Sequence, residues 1–159
     1  EDTVKYVDKT LCISNINGDL KILDYTSGLS VFETSVQSAI NTAAFTSSFD
    51  LICGCSDGRL IQVDLRQPKY ILNVLEEDRG EVQSILPFAD GYLASFNNGS
   101  VCYKNGSKIN NSSTIELTGP NLDPVYRIVS DYTDVYTCCR DGKIRKYDSS
   151  TIKKLITSR

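Results

Sequence analysis

The stretch DGRLIQVD, residues 57–64, contains a turn pair, an apolar strand and a closing aspartate. This pattern occurs four times along the chain of 159 residues. Its turn pairs are Asn17-Gly18, Asp57-Gly58, Asn98-Gly99 and Asp141-Gly142, and the residues six positions after the glycines are Asp24, Asp64, Asn105 and Asp148. Successive glycines are 40, 41 and 43 positions apart. A chain with such a period consists of structural repeats, and the repeat decides the fold.

The segments around these pairs read as short β-strands. Asn-Gly and Asp-Gly predict tight hairpins because both residues tolerate positive φ angles. A period of about 40 to 45 residues with four antiparallel strands is typical of a WD-type β-propeller blade. We therefore predict an all-β fold of four consecutive blades, approximately residues 4–38, 39–78, 79–119 and 120–159. Since no segment has a sustained helical period, no helix is predicted.

The prediction includes a strand at each end of the chain. Val4–Val7 is expected to form a weak first strand, and Ile152–Thr157 is expected to be the last strand of the fourth blade. Each blade of a propeller buries its faces against its neighbours. A set of four blades in an open arrangement would therefore expose an apolar face at each end. We interpret residues 1–159 as the C-terminal half of a longer propeller protein.

The composition argues against catalysis. The chain has no histidine, which excludes Ser-His and Cys-His nucleophile pairs and the ordinary histidine ligands of metals. The acidic run Glu76-Glu77-Asp78 is read as solvated charge between two blades. We predict that the protein is not an enzyme and that it has no catalytic residue, cofactor or metal ion.

The charge and the cysteines indicate the surroundings in which the protein works. The net charge is −3, but residues 139–159 contain seven Lys or Arg and two Asp. Nucleic-acid binding has little support on an acidic chain with a single basic edge. The six cysteines follow no disulfide framework and are expected to be reduced and buried, which suits a reducing compartment. No long apolar stretch favours a membrane, so we expect a cytoplasmic or nuclear protein, or one found in both compartments.

Two segments near the C-terminus carry a resemblance. GPNLDPVYR (residues 119–127) and YTCCRDGKIR (residues 136–145) closely resemble the last blade of the proteasomal ATPase-associated factor family. Residues 59–103 fit that family more loosely, and residues 151–159 extend past its expected end. The resemblance implies a seven-bladed WD-repeat protein that binds ATPase subunits of the proteasome regulatory particle and chaperones its assembly.

The predicted binding site lies on one rim of the propeller. In this fold the turns between second and third strands and the connections between blades form a common rim. We predict that partners bind Arg79, Asp123, Tyr126 and Arg140, because exposed Arg and Tyr are enriched in binding hot spots. A substrate-recognition or scaffold propeller in a ubiquitin-ligase or trafficking complex would use the same rim. An RNA-associated propeller, the third alternative, would bind through the basic last blade in a salt-dependent manner.

Overall fold

The computed structural model describes residues 10–66, 71–105, 114–131 and 133–158, apart from the side chains of residues 71 and 72. In these ranges the chain forms four antiparallel sheets whose strands are joined in sequence order. Blade 1 contains β1 (Thr10–Ser14), β2 (Asp19–Asp24) and β3 (Ser30–Ser35). Blade 2 contains β4 (Ile40–Phe45), β5 (Asp50–Cys55), β6 (Arg59–Asp64) and β7 (Ile71–Glu76). Blade 3 contains β8 (Val82–Phe88), β9 (Gly91–Phe96), β10 (Val101–Asn105) and β11 (Ile115–Thr118). Blade 4 contains β12 (Val125–Ser130), β13 (Asp134–Cys139) and β14 (Ile144–Asp148), and α1 (Ser149–Thr157) follows it.

The predicted final strand, Ile152–Thr157, is wrong, because these residues belong to the helix α1. Asp148 caps the helix, since its Oδ1 accepts a hydrogen bond from the Thr151 backbone N–H at 2.9 Å. Ile152 and Ile156 are one helical turn apart and pack on the core between blades 3 and 4. The predicted first strand, Val4–Val7, lies outside the described residues. No helix in the described part of the chain has the length and apolarity required to cross a membrane.

The four predicted hairpins are confirmed, but their turns differ from the predicted form. Positive φ angles occur at Gly18, Gly58, Gly99 and Gly142. The Asn or Asp that precedes each glycine does not have a positive φ angle. Each glycine N–H donates to the carbonyl three residues earlier, at 3.1 to 3.2 Å. This geometry is that of a three-residue loop, in which a type I turn is followed by a left-handed glycine. Only the glycine therefore needs the left-handed conformation.

Three hydrophobic cores lie between successive blades, and each receives side chains from both of its neighbours. Strand β6 shows how one strand serves two cores, because Ile61 faces blade 1 and Leu60 faces blade 3. Both residues are fully buried. The central strands are consequently almost continuously apolar, as expected for sheets covered on both faces.

The two end blades present apolar side chains on their outer faces. Leu11, Ile13 and Val31 of blade 1 are between 42% and 51% exposed. Val129 and Ile144 of blade 4 are 48% and 74% exposed. Apolar exposure at both ends agrees with the expectation for four blades that do not close on themselves.

Candidate functional site

The turns and the blade connections are joined by backbone hydrogen bonds into one surface, here called the rim. It consists of the turns 15–18, 55–58, 96–99 and 139–142 and the connections 36–39, 76–81 and 119–124. The connection that precedes blade 4 is bonded to the turns on either side of it. Asn121 and Leu122 both donate to the Asn98 carbonyl at 3.0 Å, and Pro124 accepts from the Arg140 N–H at 2.9 Å. The rim therefore holds its loops in fixed positions.

Asp123 and Arg140, two of the predicted binding residues, lie together on this rim. Arg140 Nε donates to Asp123 Oδ1 at 3.1 Å, and Arg140 Nη2 donates to the Leu122 carbonyl at 3.1 Å. The pair remains accessible, since 57% of the Arg140 side chain and 38% of the Asp123 side chain are exposed. Tyr126 is the second residue of β12, the strand that follows this connection, and it is half exposed. All three residues are accessible at blade 4, and a hydrogen bond joins two of them, Asp123 and Arg140.

Arg79 lies on the rim, but its side chain is bonded within the protein. Arg79 Nε donates to Glu77 Oε2 at 2.8 Å, and its Nη1 donates to Glu116 Oε1 at 3.1 Å. The guanidinium also lies 5.9 Å from the centre of the Phe96 ring. Because these contacts leave only 22% of the side chain exposed, Arg79 has little area left for a partner.

An acidic cavity of about 580 Å³ adjoins Arg79. Its lining contains Glu76, Asp78 and Glu116 beside Asn98 and other residues. A second cavity of about 560 Å³ shares the carboxylates of residues 76–78 and adds Asp57. The sequence shows the acidic run, but it does not show that Glu116, a distant residue, joins it.

Arg145 fixes the turn beside Arg140. Its Nη2 donates to Asp141 Oδ2 at 2.6 Å, and Asp141 Oδ1 accepts the Lys143 N–H at 3.0 Å. The Arg145 guanidinium holds the pKa of Asp141 well below its usual range. The carboxylate is therefore ionised at neutral pH and keeps the turn that positions Arg140.

The sequence interpretation missed Leu122. Its side chain is 80% exposed, and its backbone has a φ angle of +67°. The sequence offers no signal for this, because leucine rarely adopts positive φ. The conformation depends on hydrogen bonds with the Asn98 carbonyl, which accepts from Leu122, and with the Arg140 guanidinium, which donates to it; both residues are remote in the chain.

The cysteines are free, as expected, but not all of them are buried. Cys138 is exposed and Cys12 is only partly buried, so the expectation of burial is wrong for these two residues. Consecutive strand residues face opposite sides, so Cys138 points outward while Cys139 faces the core between blades 3 and 4. Cys139 also donates its thiol to the Asp123 carbonyl at 3.2 Å. In the described ranges, no three residues of the metal-binding types form a group that could hold an ion.

We expect one thiol per chain to react rapidly with a chromogenic disulfide reagent at pH 8 in the folded protein. Cys138 is exposed, whereas burial raises the pKa of Cys55 to about 11 and that of Cys102 to about 12. Buried thiols of raised pKa contain little thiolate, the reactive form. The remaining cysteines should react only on unfolding in denaturant. Cys138→Ser should abolish the rapid phase, and a rapid phase that survives this substitution would contradict the assignment.

Three solved structures resemble this chain in fold. Sqt1 of Saccharomyces cerevisiae aligns with a TM-score of 0.76 and 15% identity, over 91% of this chain and 43% of that one. The computationally designed protein Ika4 aligns with a TM-score of 0.74 and 13% identity, over 88% of this chain and 85% of that one. The designed protein Ika8 aligns with a TM-score of 0.71 and 19% identity, over 89% of this chain and 43% of that one. The predicted fold, successive blades of a WD-type β-propeller, is confirmed.

Sequence comparison finds three relatives that share one name. Proteins named proteasomal ATPase-associated factor 1 from Bos taurus, Homo sapiens and Gallus gallus are 35%, 34% and 31% identical to this chain. The alignments cover 91%, 91% and 87% of this chain. The chain spans about a third of the length of these relatives, between 35% and 36%. No protein-family model matches it. The resemblance of the last blade therefore extends to nearly the whole chain, which is homologous to part of the proteasomal ATPase-associated factors.

Proposed function

We propose that this chain is the C-terminal part of a seven-bladed propeller that binds ATPase subunits of the proteasome regulatory particle and chaperones their assembly. The observation that carries the proposal is homology over 91% of the chain to a protein named for association with a proteasomal ATPase. The rim supports it, because its loops are fixed by hydrogen bonds while Arg140 and Tyr126 stay accessible. Such a protein would work in the cytoplasm, the nucleus or both.

The proposed activity is binding without catalysis. Cys139, whose neighbour Arg140 could have activated a thiolate, is buried and bonded to a backbone carbonyl. Glu77, in the acidic run, is held by Lys104 and Arg79. These contacts occupy one thiol and one carboxylate among the groups that nucleophilic or acid–base chemistry could use, which supports a role as a binding surface.

We propose Asp123, Tyr126 and Arg140 as the residues that contact the ATPase. Arg140 donates hydrogen bonds within the protein from its Nε and Nη2 atoms, and more than half of its side chain remains exposed. A guanidinium can bind a carboxylate of the partner through two parallel hydrogen bonds. We place Arg79 at the edge of this surface, where its ion pairs shape the connection between blades 2 and 3.

Arg140→Ala should weaken binding to the ATPase by about 1 to 2 kcal/mol, which is roughly five- to thirtyfold in Kd. Folding stability should fall by less than about 1 kcal/mol, because the Arg140–Asp123 pair is exposed to water. The measurement is titration of each purified ATPase subunit into the protein, together with a thermal melt of the variant. Unchanged affinity would remove Arg140 from the proposed surface.

Arg66→Ala is the matched control for this experiment. Arg66 is 60% exposed and also paired with an aspartate, Asp64. Arg66 lies just after the C-terminal end of β6, and the rim turn 55–58 lies at the other end of that strand. Arg66 is therefore on the edge of the propeller opposite the rim. This variant should bind the ATPase normally. Capture of ubiquitin-ligase components, trafficking components or RNA in place of any ATPase subunit would overturn the proposed function in favour of the alternatives.

A further inference from the structure

The guanidinium of Arg140 is held by two consecutive residues of the connection before blade 4. Its Nη2 donates to the Leu122 carbonyl and its Nε donates to Asp123 Oδ1, each at 3.1 Å. No described residue accepts a hydrogen bond from Arg140 Nη1. This atom can therefore donate to a partner, and the direction in which it faces is set by residues 122 and 123.

Asn121 fixes those two residues. Its Oδ1 accepts the Asp123 N–H at 3.0 Å, and its own N–H donates to the Asn98 carbonyl at 3.0 Å. The side chain also lies against the turn of blade 3, because a Cβ added to Gly99 would collide with Asn121 Oδ1. Asn121 thus joins that turn to the residues that hold Arg140, although no hydrogen bond links Asn121 to Arg140 within the described structure.

The side chain of Asn121 is exposed, and its hydrogen bond is of a kind that both asparagine and aspartate form in this molecule. In such a bond the side-chain Oδ1 accepts the N–H of the residue two positions later. The bond recurs in three rim turns at 3.0 to 3.2 Å, where the accepting side chains are Asn98, Asp57 and Asp141. An aspartate at position 121 would therefore keep the bond to the Asp123 N–H, whereas an alanine would remove it.

We propose that Asn121 is a positioning residue of the binding surface, which holds residues 122 and 123 so that Arg140 Nη1 faces a carboxylate of the partner. This inference rests on the proposed function, because it takes Arg140 to contact a proteasomal ATPase subunit. An arginine that is oriented before the partner arrives loses less freedom on binding, which raises the affinity. Asn121 contributes to affinity only through Arg140.

Asn121→Ala tests this role by titration with the ATPase subunit that the wild-type protein binds most tightly. We expect Kd to rise about three- to tenfold, while Asn121→Asp stays within about twofold of the wild type. Asn15→Ala is the matched control, since Asn15 is also exposed and its Oδ1 accepts the backbone N–H groups of Asn17 and Asp19 in the rim turn of blade 1. It should leave Kd unchanged.

The Arg140→Ala background separates positioning from a general structural role. In that background Asn121→Ala should change Kd by less than about twofold, because the residue that it positions is gone. An equal loss in both backgrounds would overturn the inference, and so would an Asn121→Asp variant that binds as weakly as Asn121→Ala. Normal binding by Asn121→Ala would overturn the inference and leave the proposed function intact. A wild-type protein that binds no ATPase subunit would overturn both.

Hydrogen exchange of the Arg140 Nε–H, followed by nuclear magnetic resonance, detects the positioning without any partner. Asn121→Ala should speed this exchange by about fivefold or more, because the bond to Asp123 opens more often. The internal reference is the Nε–H of Arg66, which donates to Asp64 Oδ1 at 2.8 Å on the opposite edge and should exchange at the same rate in both proteins. Equal exchange of the Arg140 Nε–H in the two proteins would contradict the proposed role of Asn121.

Discussion

Replacing Gly18 with alanine is expected to lower the free energy of unfolding by about 3 kcal/mol. Part of this loss, about 1 to 2 kcal/mol, arises because Gly18 has a φ angle of +86°. The rest arises from contact, since an added Cβ would lie 2.5 Å from the Ser38 carbonyl oxygen and 2.6 Å from its nitrogen. Both atoms belong to the backbone, so the connection between blades 1 and 2 must move. Urea unfolding, followed by circular dichroism, measures the loss.

Gly142→Ala is the control for this prediction. Gly142 occupies the same position in an equivalent turn and has a φ angle of +76°, but no atom lies within 4 Å of its added Cβ. This variant should lose only the conformational part, about 1 to 2 kcal/mol. Equal losses in the two variants would show that the packing of the turn against the next connection contributes nothing to stability.

The fold was predictable because its signals are local and repeated. The turn glycines mark the hairpins, and each of the four repeats forms one antiparallel sheet. The helix α1 was not predictable by the same reasoning, since three apolar residues in a segment of nine make a weak helical pattern. Asp148 also satisfied the strand repeat and thereby concealed its second role as a helix cap.

The candidate site was only partly predictable from sequence. Asp123 and Arg140 could be placed together because a turn and the connection before it meet at the rim of every blade. The environment of Arg79 could not be predicted, since Glu116, 37 residues later, takes up its second ion pair. The exposure of Leu122 depends similarly on contacts with Asn98 and Arg140. Residue type and spacing thus locate the rim, whereas long-range pairing decides which of its side chains are accessible.

Lys104 is the other residue whose role depends on a distant partner. It occupies the strand position where the other repeats have Leu23, Val63 and Tyr147. Its side chain is only 5% exposed and forms an ion pair with Glu77, which is 9% exposed. Lys104 Nζ also donates to Thr114 Oγ1 at 2.8 Å. The pair joins the connection between blades 2 and 3 to the third strand of blade 3.

Glu77→Gln is expected to lower the free energy of unfolding by about 3 to 5 kcal/mol, because it leaves the buried Lys104 ammonium without a counter-ion. Lys104→Met should cost less, about 2 kcal/mol, since Glu77 keeps its 2.8 Å bond to Arg79. The double variant removes both buried charges at similar volume and should be no less stable than Glu77→Gln alone. Urea unfolding of all four proteins completes a double-mutant cycle, with an expected coupling of at least about 2 kcal/mol. Additive losses would show that Lys104 and Glu77 stabilise the protein independently, and that the ion pair does not join the two blades.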